Sequence, residues 1–169
     1  MRQTVVKFGL LSGAVSAVLM LATLPFIDAI GFDRGEIVGY TAMILSFLFV
    51  FFGIRAYRDT SGNGRITFAR GLSVGLLITL ISCVCYVLTW EVVYFKFMPD
   101  FGDKYAAYMI QHARAAGASA EAIAAAARQA QEFKQMYDNL LFNAGVTFLE
   151  PLPVGFVMTL LSAVILRKR

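Results

Sequence analysis

The chain has little with which to do chemistry in water. Its 169 residues include one histidine, two cysteines, one tryptophan and four prolines, and charged residues make up only 15%. A lone histidine makes a poor metal site, and His112 reads as a helix-packing or exposed residue. Cys83 and Cys85 stand two apart, which on a helix points them about 200° apart. They can neither chelate one ion together nor form an unstrained mutual disulfide, and they read as small apolar packing residues. The chain has no phosphate-binding glycine loop, dinucleotide fingerprint, His-Glu-x-x-His pair or nucleophile elbow. The expectation is a protein that is not an enzyme and has no cofactor and no metal.

What the chain does have is apolar length. Apolar residues make up 59% and mean hydropathy is +0.68, beyond the usual range of a soluble domain. Uncharged runs cover Phe8 to Ile27, Ile37 to Ile54, Gly71 to Trp90 and Pro151 to Leu166. A helix needs roughly 20 such residues to cross a hydrocarbon core of about 30 Å. The reading is an all-α, polytopic membrane protein in a single domain. Its four transmembrane helices lie near 8–27, 37–54, 71–90 and 146–166, and an extracytoplasmic helical hairpin near 103–142 joins spans three and four. The first run follows Arg2 and Lys7 as a secretory signal would. It is longer than a signal core and lacks a clean cleavage site, so it reads as a retained span.

The net charge of +4 is sorted along the chain in a way that nucleic-acid binding does not explain. Arg2, Lys7, Arg55, Arg58, Arg65, Arg70, Arg167, Lys168 and Arg169 fall before span one, between spans two and three, or after span four. Asp59 is the one acid among them, while the other connections carry a net charge of −4. By the positive-inside rule both termini are cytoplasmic. The expected location is the inner membrane, with lipid as the certain neighbour. A membrane-protein partner or a homo-oligomer is a further expectation, and nucleic acid is not.

Gly9, Gly13 and Ala17 recur at four-residue spacing on span one, with Ser12 and Ser16 beside them, and Gly71 and Gly75 repeat the spacing on span three. Small residues at this interval let helix backbones approach in lipid. They read as internal packing contacts, with a homodimer seam as the second use. The short acidic connection from Asp28 to Glu36, with Gly31 and Gly35, reads as a turn. Asp59, Ser61, Asn63, Gly64 and Ile66 fall in the register of a calcium loop, but Arg70 stands where the anchoring carboxylate belongs. Asn63-Gly64 reads instead as a tight turn.

Beyond Met98-Pro99, residues 103–116 carry Tyr105, Tyr108, Met109 and His112 at helical spacing. Gly117 is placed to end that helix, and Ser119 to cap the next. The second helix runs through Ile123, Ala130, Phe133 and Tyr137 toward span four, with no stop expected before a kink at Glu150-Pro151. Glu91 and Glu150 are the carboxylates nearest the apolar runs. Ionisable groups at such depth are costly, which makes them candidates for proton or cation binding. The plainer alternative is that both reach the interface, with Tyr86, Trp90 and Tyr94 as an aromatic belt and Lys96 snorkelling beside them.

The order Ile54-Arg55-x-Tyr57-Arg58-Asp59, a Gly-rich turn, Ile66-Thr67-Phe68 and Gly71-x-x-x-Gly75 resembles the uncharacterised bacterial membrane family DUF4199. Trp90-Glu91-x-x-Tyr94, Pro99-Asp100-Phe101 and the basic C-terminus are similar too, whereas Pro151 and Pro153 depart from that pattern. The resemblance spans nearly the whole chain and implies a small bacterial inner-membrane protein of four helices. It supplies no activity, substrate or cofactor. The functional expectation is a non-enzymatic scaffold or modulator of a membrane partner, acting through the external hairpin. The alternative is a small transporter or channel component using Glu91 and Glu150.

Overall fold

A computed structural model describes residues 1–168; Arg169, counted above among the basic residues, lies outside them. The described residues form helices α1 (Arg2–Thr23), α2 (Ile27–Ser61), α3 (Phe68–Val92), α4 (Phe101–Ala115), α5 (Ala120–Tyr137), α6 (Leu140–Leu149) and α7 (Pro151–Leu166), and no β-strand. They divide into two compact units, one of residues 1–89 with the segment beginning at Thr147, the other Trp90–Val146. Among the described residues, three helical stretches are long and apolar enough to cross a membrane: Arg2–Ser61, Phe68–Phe97 and Leu140–Leu166.

The first of these stretches does not run straight. After a 3-10 turn at Leu24–Phe26, Gly31 takes φ 69° and ψ 171° inside α2, a backbone region almost confined to glycine. The helix breaks there, and α1 packs back against α2, with Ser12 Oγ donating to the carbonyl of Ser46 at 2.8 Å. The reversal runs through the 3-10 turn, Phe26 and Gly31 rather than through a loop from 28 to 36, and Gly35 is helical. α2 ends in a turn with Asn63 at φ 48° and Gly64 at φ 79°, closed by Arg65 N–H donating to the Gly62 carbonyl at 2.9 Å. Two positive φ values at the centre are what an Asn-Gly pair permits.

The first unit has an apolar core around Phe47, Val50, Ile54, Val74 and Ile78, and its distribution of polar groups is unusual in two further ways. Ser12, Ser16, Ser46, Thr79, Ser82, Thr159 and Ser162 are buried, while Val18, Leu88, Val164 and Ile165 are each more than 60% exposed. Small hydroxyl residues let backbones approach, and their own hydrogen bonds replace those water would make. In water so much outward apolar area would be costly, at about 25 cal/mol per Å². Large apolar side chains turned outward are what lipid selects. This points to a membrane protein.

The second unit is built differently. α3 continues as a π-helical turn over Val93–Phe97 and stops at Met98, the residue before Pro99, where helical geometry is disfavoured. α4 ends with Gly117 at φ 72°, as Gly117 N–H donates to the Arg114 carbonyl at 3.0 Å and Ala118 N–H to that of Ala113 at 3.1 Å. That paired bonding is a Schellman C-cap. Ser119 then caps α5, accepting from Ala122 N–H at 3.2 Å, and α5 packs along α4. The continuous helix expected from Ser119 to Glu150 is interrupted after Tyr137. Asn139 Oδ1 accepts from the amides of Leu141 and Phe142 at 3.0 and 3.2 Å, which starts α6 as a separate helix. At Glu150 the interruption is slight, since its backbone stays helical (φ −63°, ψ −55°) and buried Pro151 begins α7.

Candidate functional site

Three groups of side chains are candidates for function: the hydroxyls inside the first unit, the aromatic cluster of the second, and the two carboxylates. Each hydroxyl belongs to a helix-packing seam. Ser12 and Ser82 Oγ lie 2.9 Å apart, Ser46 Oγ donates to the Met43 carbonyl at 2.8 Å, and Thr79 and Thr159 Oγ1 lie 3.0 Å apart. These bonds satisfy the hydroxyls internally. Thr79 Oγ1 also reaches the Gly155 carbonyl at 3.4 Å, so the hydroxyls tie neighbouring helices to one another.

The glycines singled out by spacing lie at the same seams. A Cβ on Gly9 would come within 2.7 Å of Ile81, and one on Gly13 within 2.4 Å of Cys85. Gly75 faces Thr159 and Ile54, and Gly71 faces Ala163 at 3.4 Å; Ala17 is half-buried. Cys83 is buried and both cysteines are free thiols.

In the second unit, Trp90 Nε1 donates to Tyr137 Oη at 3.1 Å, and Tyr94 Oη donates to Asp138 Oδ1 at 2.7 Å. Phe101 stands edge-on to Trp90 with ring centroids 5.2 Å apart, and Tyr137 likewise to Tyr94 at 5.3 Å. Lys134 Nζ, near the end of α5, donates to Asp103 Oδ1 in the first turn of α4 at 2.5 Å. That bond holds the Lys134 ammonium above its usual range, and Lys104 lowers the Asp100 carboxyl in the same way. Aromatic residues and acids together could form a cage for an organic cation. The cavity among Tyr94, Phe101, Tyr105 and Phe133 is only about 10 Å³, which is room for one water at most. The cluster is a packed core that orders the unit, not a binding pocket.

Sequence reasoning named Trp90, Tyr94 and Lys96 as neighbours of Glu91 or as an interfacial belt, and missed the bonds that tie Trp90 and Tyr94 to Tyr137 and Asp138. The available signal was the Asp138-Asn139 pair, two cap-forming residues set within a helical pattern.

The two carboxylates have different surroundings. Glu150 belongs to the first unit, is surface-exposed, and accepts a hydrogen bond from Tyr86 Oη at 3.2 Å. Glu91 belongs to the second unit, where both of its oxygens are buried with no hydrogen-bond partner. His112 is exposed, its ring 5.9 Å from that of Tyr108. On the turn between α2 and α3, Asp59 accepts from Arg58 Nε at 2.8 Å and lies 3.8 Å from Arg55 Nε, so its carboxylate is occupied by arginines.

Residues 7–168 match the family model described as "Protein of unknown function (DUF4199)". No curated protein and no solved structure matches the chain. The chain belongs to that family.

Proposed function

We propose that this DUF4199 member crosses a bacterial inner membrane four times and acts, without catalysing a reaction, as a scaffold or modulator of a membrane partner. The fourth crossing comes from the break at Gly31, which divides the 60-residue stretch Arg2–Ser61 into two arms of spanning length. Arg2, Lys7, Arg55, Arg58, Arg65, Arg70 and Lys168 then mark the cytoplasmic side, with the helical hairpin near 103–142 on the other.

The observation that carries the scaffold reading is that Trp90–Val146 forms a compact unit of its own, locked by the Tyr94–Asp138 and Trp90–Tyr137 hydrogen bonds. A mere connection would not need such a core. Its helices expose Met109, Phe133 and Met136, and exposed methionines suit adaptable apolar contact. The test is affinity purification from gently solubilised membranes, comparing the intact chain with Met109→Glu/Met136→Glu. Loss of co-purifying proteins is expected, and an identical set from both would remove the hairpin's role.

A small transporter or channel component using Glu91 and Glu150 is the second reading, favoured by the partnerless carboxyl of Glu91. Four helices leave little room for a pathway, so this version requires an oligomer. A monomeric mass in native-like lipid would count against it.

A further inference from the structure

Glu91 is the one side chain among the described residues whose buried polar atoms lack any hydrogen-bond partner. A carboxylate stripped of water with no donor, cation or metal beside it costs far more than a hydrogen-bonded one, and such a group neutralises instead. The surroundings offer nothing that would keep it ionised. No ion pair among the described residues involves it. Three residues on, Tyr94 is 2% exposed and has committed its hydroxyl to Asp138. Tyr137 faces Trp90, and Lys96 is exposed.

A second feature lies at the same place. Two residues after Glu91 the helix widens into the π-helical turn Val93–Phe97, closed by Met98 N–H donating to the Val93 carbonyl at 2.9 Å. π-turns relinquish regular hydrogen bonding and occur disproportionately at functional positions. A group that binds only a proton needs no cavity, and none is required here.

We propose that Glu91 is a proton-binding site: its carboxyl holds an exchangeable proton at neutral pH and releases it only when its surroundings open to water or to a cation. The site stands whether the chain serves as a scaffold or as part of a transport system. In a scaffold it makes the second unit sensitive to opening, and in a transporter it supplies the proton-carrying group.

The test is infrared spectroscopy of the full chain in lipid nanodiscs at neutral pH, read in the carboxylic-acid C=O region with and without exchange into deuterium oxide. The wild-type protein should show a deuterium-sensitive band that Glu91→Gln loses and Glu150→Gln keeps. Because glutamine is isosteric with a neutral acid, Glu91→Gln should melt with the wild-type protein. Retention of the whole band in Glu91→Gln would overturn the proposal, and so would failure of that variant to fold. A Glu91→Asp variant that restores a band to that region supports the assignment, and one with no band contradicts it.

Discussion

At Gly13 a Cβ would lie 2.4 Å from the Cβ of Cys85 and 2.6 Å from its Sγ, and at Gly75 it would lie 2.6 Å from Thr159 Cγ2. Neither neighbour is the loose end of a long chain, so a larger residue must push helices apart. Gly13→Val and Gly75→Val should each destabilise the protein by about 1–3 kcal/mol, seen as a lower melting temperature in detergent. Gly39 is helical and meets nothing within 4 Å, so Gly39→Ala should gain about 0.5–1 kcal/mol by relieving glycine's entropy cost. Equal losses at all three positions would mean that the seams do not set stability. In the second unit, Tyr94→Phe removes the 2.7 Å bond to Asp138. The expected loss is about 1.5–3 kcal/mol, the range for a hydrogen bond to a charged group. The single tryptophan, Trp90, lies 6.1 Å from the Tyr94 ring and reports that loosening through its emission.

At the scale of helices, the apolar runs were legible because uncharged length leaves few alternatives. Gly117 and Ser119 were legible because a left-handed C′ residue and a hydroxyl N-cap have few substitutes. The split at Asp138-Asn139 was hidden by the apolar periodicity, which passes through it without a change of phase. A tertiary bond and a local cap decide it together: Tyr94 draws in Asp138 while Asn139 caps α6. The candidate site was half legible. Glu91 and Glu150 look alike in sequence, and only the fold shows one carboxyl without a partner and the other bonded by Tyr86. Gly31 carries the sharpest test at this scale. Its φ of 69° with ψ of 171° is almost barred to a residue with a Cβ, so Gly31→Ala should cost about 1–3 kcal/mol. Gly35→Ala, in helix with nothing within 4 Å, should not. Comparable melting of the two variants would show that the reversal does not depend on Gly31.

For the whole molecule, the distribution of polarity ties sequence to location. Inside the first unit, hydroxyls and glycines share the interior with an apolar core that includes Phe47, Val50, Ile54, Val74 and Ile78, while many other large apolar side chains face outward. The antiparallel bridge between Ile66 and Lys168 brings the C-terminal segment to the turn between α2 and α3. Val5 and Phe8 of α1 pack in the same core cluster as Ile54, Tyr57 and Ile66, and a Cβ on Gly53 would lie 3.0 Å from that of Phe8. The start of α1, the end of α2 and the C-terminal segment therefore share one end of the unit, where the cations collect. Arg70 is tied into it by Nε donating to Tyr57 Oη at 3.0 Å. The proposed four crossings would put these segments on one side of a bilayer. The direct measurement is a set of side-specific topology reporters inserted one at a time at the N-terminus, Asp33, Gly62, Gly117 and the C-terminus. The expected result is cytoplasmic signal from both termini and Gly62, with Asp33 and Gly117 on the opposite side. Termini reporting from opposite sides, or Asp33 and Gly62 from the same side, would contradict four crossings.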